Sequence, residues 1–135
     1  MSFFKDLLAK PPDLSTASKY SVINGYVYLS LGGLLLLWPG AVQTIFRDAP
    51  FVGNESALFR VAGMTVAIIG WLYLFGGRSG ARQLGPASVL DRVILVPVVL
   101  VPLVMADVFP HTLGAFAVLD PTLGIGAWLL HNRET

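Results

Sequence analysis

The chain has 135 residues, of which 55% are hydrophobic and 13% charged, with a formal net charge of +1 and no cysteine. An ordinary soluble domain carries about 25% charged residues, and one this small could not hide so much apolar surface in a single core, so the composition points to lipid as the solvent. The near-neutral balance gives no electrostatic case for nucleic acid, and the lack of cysteine excludes disulfides, thiolate metal sites and cysteine nucleophiles.

Residues 1–12 place Phe3, Phe4, Leu7 and Leu8 on one helical face and then end in Pro11-Pro12. This pattern predicts a short helix lying in the membrane interface. Asp6, Asp13 and the prolines are unlike a cleaved signal peptide, so the first apolar run is expected to be retained. That run, about 18–38, has Tyr20, Tyr26 and Tyr28 towards its start and Trp38 at its end, as interfacial aromatic belts require. Pro39-Gly40 breaks it. Residues 41–56 read as a loop with at most one turn around Val42–Phe46.

A second span is expected over about 57–75, with Trp71, Tyr73 and Phe75 at its far interface, followed by the glycine-rich loop Gly76–Gly85. A third covers about 87–108. Its Pro97 and Pro102 each remove a helical hydrogen bond, which predicts a bend. A fourth covers about 112–130 and leaves a short polar tail. Each is near the roughly 20 residues that cross a bilayer. The fold class is therefore all-α: an integral membrane up-down four-helix bundle with a short N-terminal interfacial helix, forming one membrane domain over 1–135. Lys5, Lys10, Lys19, Arg78, Arg82 and Arg133 fall on one side and Arg47 on the other, so both termini are expected to face the cytoplasm.

Small residues recur where helices would touch: Gly25 and Gly32 on the first span, and Gly63, Gly70 and Gly77 on the second. Such seven-residue periods suit close, near-antiparallel packing. Ionisable groups inside the spans mark the candidate sites. Asp120 lies near the middle of the fourth span, where a lone carboxylate costs at least about 2.5–3.5 kcal/mol. Arg92 is its natural partner, and Asp91 and Asn24 lie at a similar depth and complete a polar cluster. Asp91 and Arg92 are adjacent and are expected to diverge by about 100° on a helix, too far to serve the same neighbour. A second polar set, Glu55, Arg60 and Asp107, lies nearer the other face. Two readings stand side by side: buried pairs that fix helix register, or a polar site for a head group, a proton or a small ligand.

No Gly-x-Ser-x-Gly, phosphate loop, His-Glu-x-x-His or acidic metal motif occurs. His111 and His131 sit too far apart to share a metal, and no cofactor motif is present, so no catalytic residue, metal ligand or cofactor is assigned. Asn24-Gly25, Gly63-Met64 with Gly70 and Tyr73, the arginine-bearing loop and the proline-containing third span together resemble small bacterial four-helix membrane proteins of the DoxX-like type, and more distantly EXPERA and Erg28-like proteins. The resemblance implies a bacterial inner-membrane location and admits lipid binding, since some such families include sterol isomerases and lipid-binding proteins. It carries no catalytic residue across. Three functions follow as expectations: a non-enzymatic accessory or scaffold subunit of a larger membrane complex or homo-oligomer; a lipid- or isoprenoid-binding protein, with or without chemistry on that ligand, built on Arg92 and Asp120; and a proton- or ion-coupled transporter.

Overall fold

A computed structural model describes residues 3–9 and 11–134. Lys10 and the first two residues of the expected interfacial segment lie outside the described residues. The elements in order are α1 (Phe3–Leu7), α2 (Thr16–Leu37), α3 (Pro39–Phe46), α4 (Glu55–Arg78), α5 (Leu84–Met105) and α6 (Pro110–Glu134). The described residues contain no strand. Helices α2, α4, α5 and α6 have 22 to 25 residues and are long and apolar enough to cross a membrane. The molecule is an all-α four-helix bundle of the integral membrane type. The start of α2 and the end of α6 meet on one face, where the Ala17 amide donates to the Glu134 carboxylate at 3.0 Å. This end is called the terminal face below.

Helix α2 starts at Ser15, whose hydroxyl accepts the Ser18 amide at 3.1 Å, a standard N-cap that satisfies an otherwise orphaned donor. The break at Pro39 does not lead into a loop as expected. Proline is compatible with the first helical position, and here it starts the eight-residue helix α3. Arg47 ends that helix in the left-handed region, with φ of 58°.

That turn delivers Asp48 to the start of α6. Its carboxylate accepts the backbone amides of His111 (3.0 Å) and Thr112 (2.8 Å) and the Thr112 hydroxyl (2.5 Å). It also lies 2.9 Å from His111 Nδ1, with the Asp48 side chain fully buried. Carboxylates at helix N-termini satisfy free amides and complement the helix dipole. Burial alone would raise the Asp48 carboxyl, but the hydrogen bonds from Thr112 and His111 outweigh it and hold the group below its ordinary value of 3.8. A depressed folded value contributes stability that is complete above the ordinary carboxylate range and lost as pH falls through the folded value. Asp48→Ala is therefore expected to cost about 0.5–2 kcal/mol near neutrality, and its deficit relative to wild type should close below pH 3.8. Equilibrium unfolding in mixed micelles across pH reads both effects. A deficit that persists unchanged into acid would mean that Asp48 acts by packing alone.

The glycine periods seen in the sequence mesh α2 against α4. A β-carbon on Gly25 would sit 2.5 Å from the Leu74 backbone nitrogen, and one on Gly32 would sit 2.7 Å from both Ala67 Cα and Gly63 O. From the other side, a β-carbon on Gly70 would lie 2.8 Å from Gly25 O. The two backbones touch directly along this seam, as small-residue packing permits in lipid. Helix α6 packs on α5 and on α2, which closes the bundle.

Helix α5 carries a π-helical turn over Asp91–Leu95, where the Val96 amide bonds back to Asp91 O. Pro97 lacks an amide hydrogen and its ring crowds the carbonyl four residues earlier. The wider turn just ahead of it relieves that crowding, and such π turns recur at functional positions. The helix then runs on through Pro102. Along α5, Ile94, Val98 and Met105 are exposed, a normal state for a helix solvated by lipid. The buried side chains of the bundle are as often polar as apolar: Ser21, Asn24, Ser88, Arg92, Thr112 and Asp120 lie beside Tyr28, Leu35, Tyr73 and Leu74.

Candidate functional site

One buried polar cluster draws on all four long helices. Helix α2 contributes Tyr28, α4 contributes Tyr73, the π turn of α5 contributes Asp91 and Arg92, and α6 contributes Asp120, while Asn24 lies one turn before Tyr28 on the same face of α2. Asn24 is 1% exposed, Arg92 2%, and Asp120 8%. Burial of this degree obliges each polar group to find a partner or be neutral.

Two tyrosines organise the cluster. Tyr28 donates its hydroxyl proton to Asp120 Oδ1. The Tyr73 hydroxyl accepts from Arg92 Nε at 3.1 Å and donates to Asp91 Oδ2 at 3.4 Å. The rings meet edge to face at 5.5 Å, a favoured aromatic geometry. The Arg92 guanidinium lies over the Tyr73 ring at 4.3 Å and near the Tyr28 ring at 5.5 Å, within cation–π range.

Three features differ from the sequence reading. Arg92 does not form an ion pair with Asp120; each is engaged by a tyrosine instead, Arg92 by Tyr73 and Asp120 by Tyr28. Asp91 and Arg92 do share a neighbour, the Tyr73 hydroxyl, because the π turn holds more residues than an α-turn and so brings adjacent side chains closer in direction. Tyr28 and Tyr73 are not interfacial: they are 4% and 6% exposed. The sequence carries a signal for that. Tyr28 lies between Gly25 and Gly32, and Tyr73 between Gly70 and Gly77, at helical spacing, so each shares the face that packs against the neighbouring helix.

The second predicted set does not come together. Glu55 accepts the Val52 amide at 2.7 Å and tightens the start of α4. Arg60 is exposed and donates from Nη1 to Leu36 O at 2.8 Å, so it caps the end of α2. Asp107 takes φ of 61° in the turn between α5 and α6.

The cluster is incompletely satisfied. Asn24 Nδ2, Asp91 Oδ1 and Arg92 Nη1 are buried and have no hydrogen-bond partner among the described residues. An unsatisfied buried polar group costs about 1–3 kcal/mol, and native structures hold few of them. The three comprise two donors and one acceptor. Their chemistry suits an oxygen that accepts from nitrogen donors. It does not suit a cation at the nitrogens, and no group of three or more metal-binding side chains occurs among the described residues.

Two cavities lie close by, and neither is lined by Arg92 or Asp120. The larger, about 1020 Å³, opens at the terminal face and reaches inward to Ser21 and Gly77, one helical turn from Asn24 and Tyr73. The smaller, about 380 Å³, is a shallow groove on the outer surface of the π turn, formed by Leu90, Asp91, Ile94, Leu95 and Val98. Compared with known proteins, the chain matches no family, no curated protein and no solved structure.

Proposed function

We propose that this integral membrane protein binds a lipid-soluble ligand whose head group carries a hydrogen-bond-accepting oxygen, seated against Arg92. The observation that supports this is Arg92 Nη1: a donor-only group, buried within the bundle, stacked on two aromatic rings and without a partner. Guanidinium groups recognise oxygen acceptors through a planar fork of donors, and ionisable groups inside a membrane mark substrate, ion or ligand sites. The outer groove is lined in part by Asp91, the neighbour of Arg92 in the π turn, and it faces the lipid from which such a ligand would arrive. The DoxX-like resemblance fits this reading, and with it a bacterial inner membrane with both ends of the chain in the cytoplasm.

The test is native mass spectrometry of protein extracted gently from its membrane. The expected result is a retained small molecule in the wild type and its loss from Arg92→Lys, a variant that keeps the charge and alters the fork. A wild-type bundle released bare, with no mass beyond the polypeptide, overturns the reading. The same spectrum addresses a second reading, an accessory subunit of a membrane complex. Its motive is the short connections between the four spans and the lack of a catalytic motif in the sequence. A co-released protein partner supports it.

A further inference from the structure

We infer that Asp120 is a proton-exchanging site connected to one aqueous face of the membrane, the terminal face, by a file of polar groups on α2. Ser21, Asn24 and Tyr28 are separated by three and four residues and so share one stripe of that helix. All three are buried. Ser21 lines the inner end of the cavity that opens at the terminal face. Asn24 follows about 4.5 Å further along the axis, and Tyr28 about 6 Å beyond that. Tyr28 then hands the file to Asp120 through its hydroxyl.

The free donor of Asn24 gives the file its continuity. Nδ2 has no partner among the described residues, and a water admitted past Ser21 satisfies it. That water bridges the cavity to the tyrosine. Proton movement then balances simply. Tyr28 gives its hydroxyl proton to the Asp120 carboxylate and takes a replacement from the water beside it, which is restored from the cavity. One proton passes from the aqueous face to Asp120, and the tyrosine and the amide are unchanged.

The path has one open end. Beyond Tyr28 the same face of α2 continues as Gly32 and Leu35, both buried, with Gly32 pressed against the α4 backbone. No polar group extends the stripe towards the opposite face. The groups around Asp120 are Tyr28 of α2, Tyr73 of α4, and Asp91 and Arg92 of α5. Arg92 supplies the positive charge that makes repeated ionisation of Asp120 feasible there, and Asp91 opposes it.

The experiment is infrared spectroscopy of the protein in lipid nanodiscs, titrated between about pH 4 and 9. The expected result is a protonated-carboxyl band that titrates, disappears in Asp120→Asn and shifts promptly in heavy water. Asn24→Leu should slow that isotope exchange by at least about tenfold, while Asn24→Ser keeps it fast. No titrating band assignable to Asp120, or exchange indifferent to Asn24→Leu, overturns the inference. If Asn24→Leu does not assemble, thiol labelling decides. The chain has no cysteine, so Ser21→Cys is a clean single site. It should react with a membrane-impermeant reagent from the terminal face only, and Leu35→Cys from neither. An unreactive Ser21→Cys, or one reactive from both faces, overturns the file.

Discussion

Replacing Gly32 by alanine is expected to destabilise the bundle by at least about 1–3 kcal/mol, the usual cost of overpacking, whereas the same change at the adjacent Gly33 is expected to be neutral or to stabilise by up to about 1 kcal/mol. The two glycines are chemically identical neighbours on one helix, so the contrast isolates packing. A β-carbon at Gly32 would meet Ala67 Cα and the Gly63 carbonyl at 2.7 Å, and these are backbone atoms that no side-chain rotation can move aside. A β-carbon at Gly33 would meet nothing within 4 Å. Relief at Gly32 requires α2 and α4 to separate, which also loosens Gly25 against Leu74 and Gly70 against Leu29. It would draw Tyr28 away from Tyr73, so the polar cluster should suffer with the seam. Equilibrium unfolding of both variants in mixed micelles makes the comparison. Equal stability of the two would mean that the α2–α4 contact is plastic and that the glycine period is incidental.

That period is legible in the amino-acid sequence, because small residues seven apart have a direct geometric consequence. The four spans are legible for a similar reason: hydrocarbon thickness fixes their length. The polar cluster is only half legible. Asn24, Asp91, Arg92 and Asp120 stand out as polar groups in apolar runs. How they connect does not, since that depends on which way each side chain turns. Tyr73 shows the difficulty. It lies towards the end of α4, where tyrosine is at home in the interfacial belt, and the glycines flanking it reveal that its face is interior. Tyr28 lies at the middle of α2, so its depth as well as its flanking glycines argues against the interface. The π turn is not legible either. Pro97 signals that the helix must adjust, but the adjustment can be a kink, a water or a wider turn. The wider turn is what lets Asp91 and Arg92 reach the same hydroxyl. The Asp48 cap needs the third dimension, because the residue lies 63 positions from His111.

Arg92→Met is expected to be the most damaging single change in the polar cluster, with a loss of about 3–5 kcal/mol, the range seen when one member of a buried charged group is removed. Methionine keeps much of the side chain's length and removes the charge. The loss has three sources. The Nε–H donor to Tyr73 disappears, at 3.1 Å. The stacking over the Tyr73 ring goes with it. Most costly, Asp91 and Asp120 are left around the same pair of tyrosines without a cation between them. Arg92→Lys should fall between the two, since an ammonium keeps the charge but cannot both stack flat on the ring and donate sideways to the hydroxyl. The decisive comparison is a double variant. Adding Asp91→Asn to Arg92→Met removes one of the stranded carboxylates while its oxygen can still accept from Tyr73. It should therefore recover part of the loss, with a coupling of about 0.5–3 kcal/mol between the two positions. If the double variant is instead worse by the full sum of the single changes, the two residues do not share a charge balance. Arg92 would then hold the helices together through its contacts with Tyr73 alone.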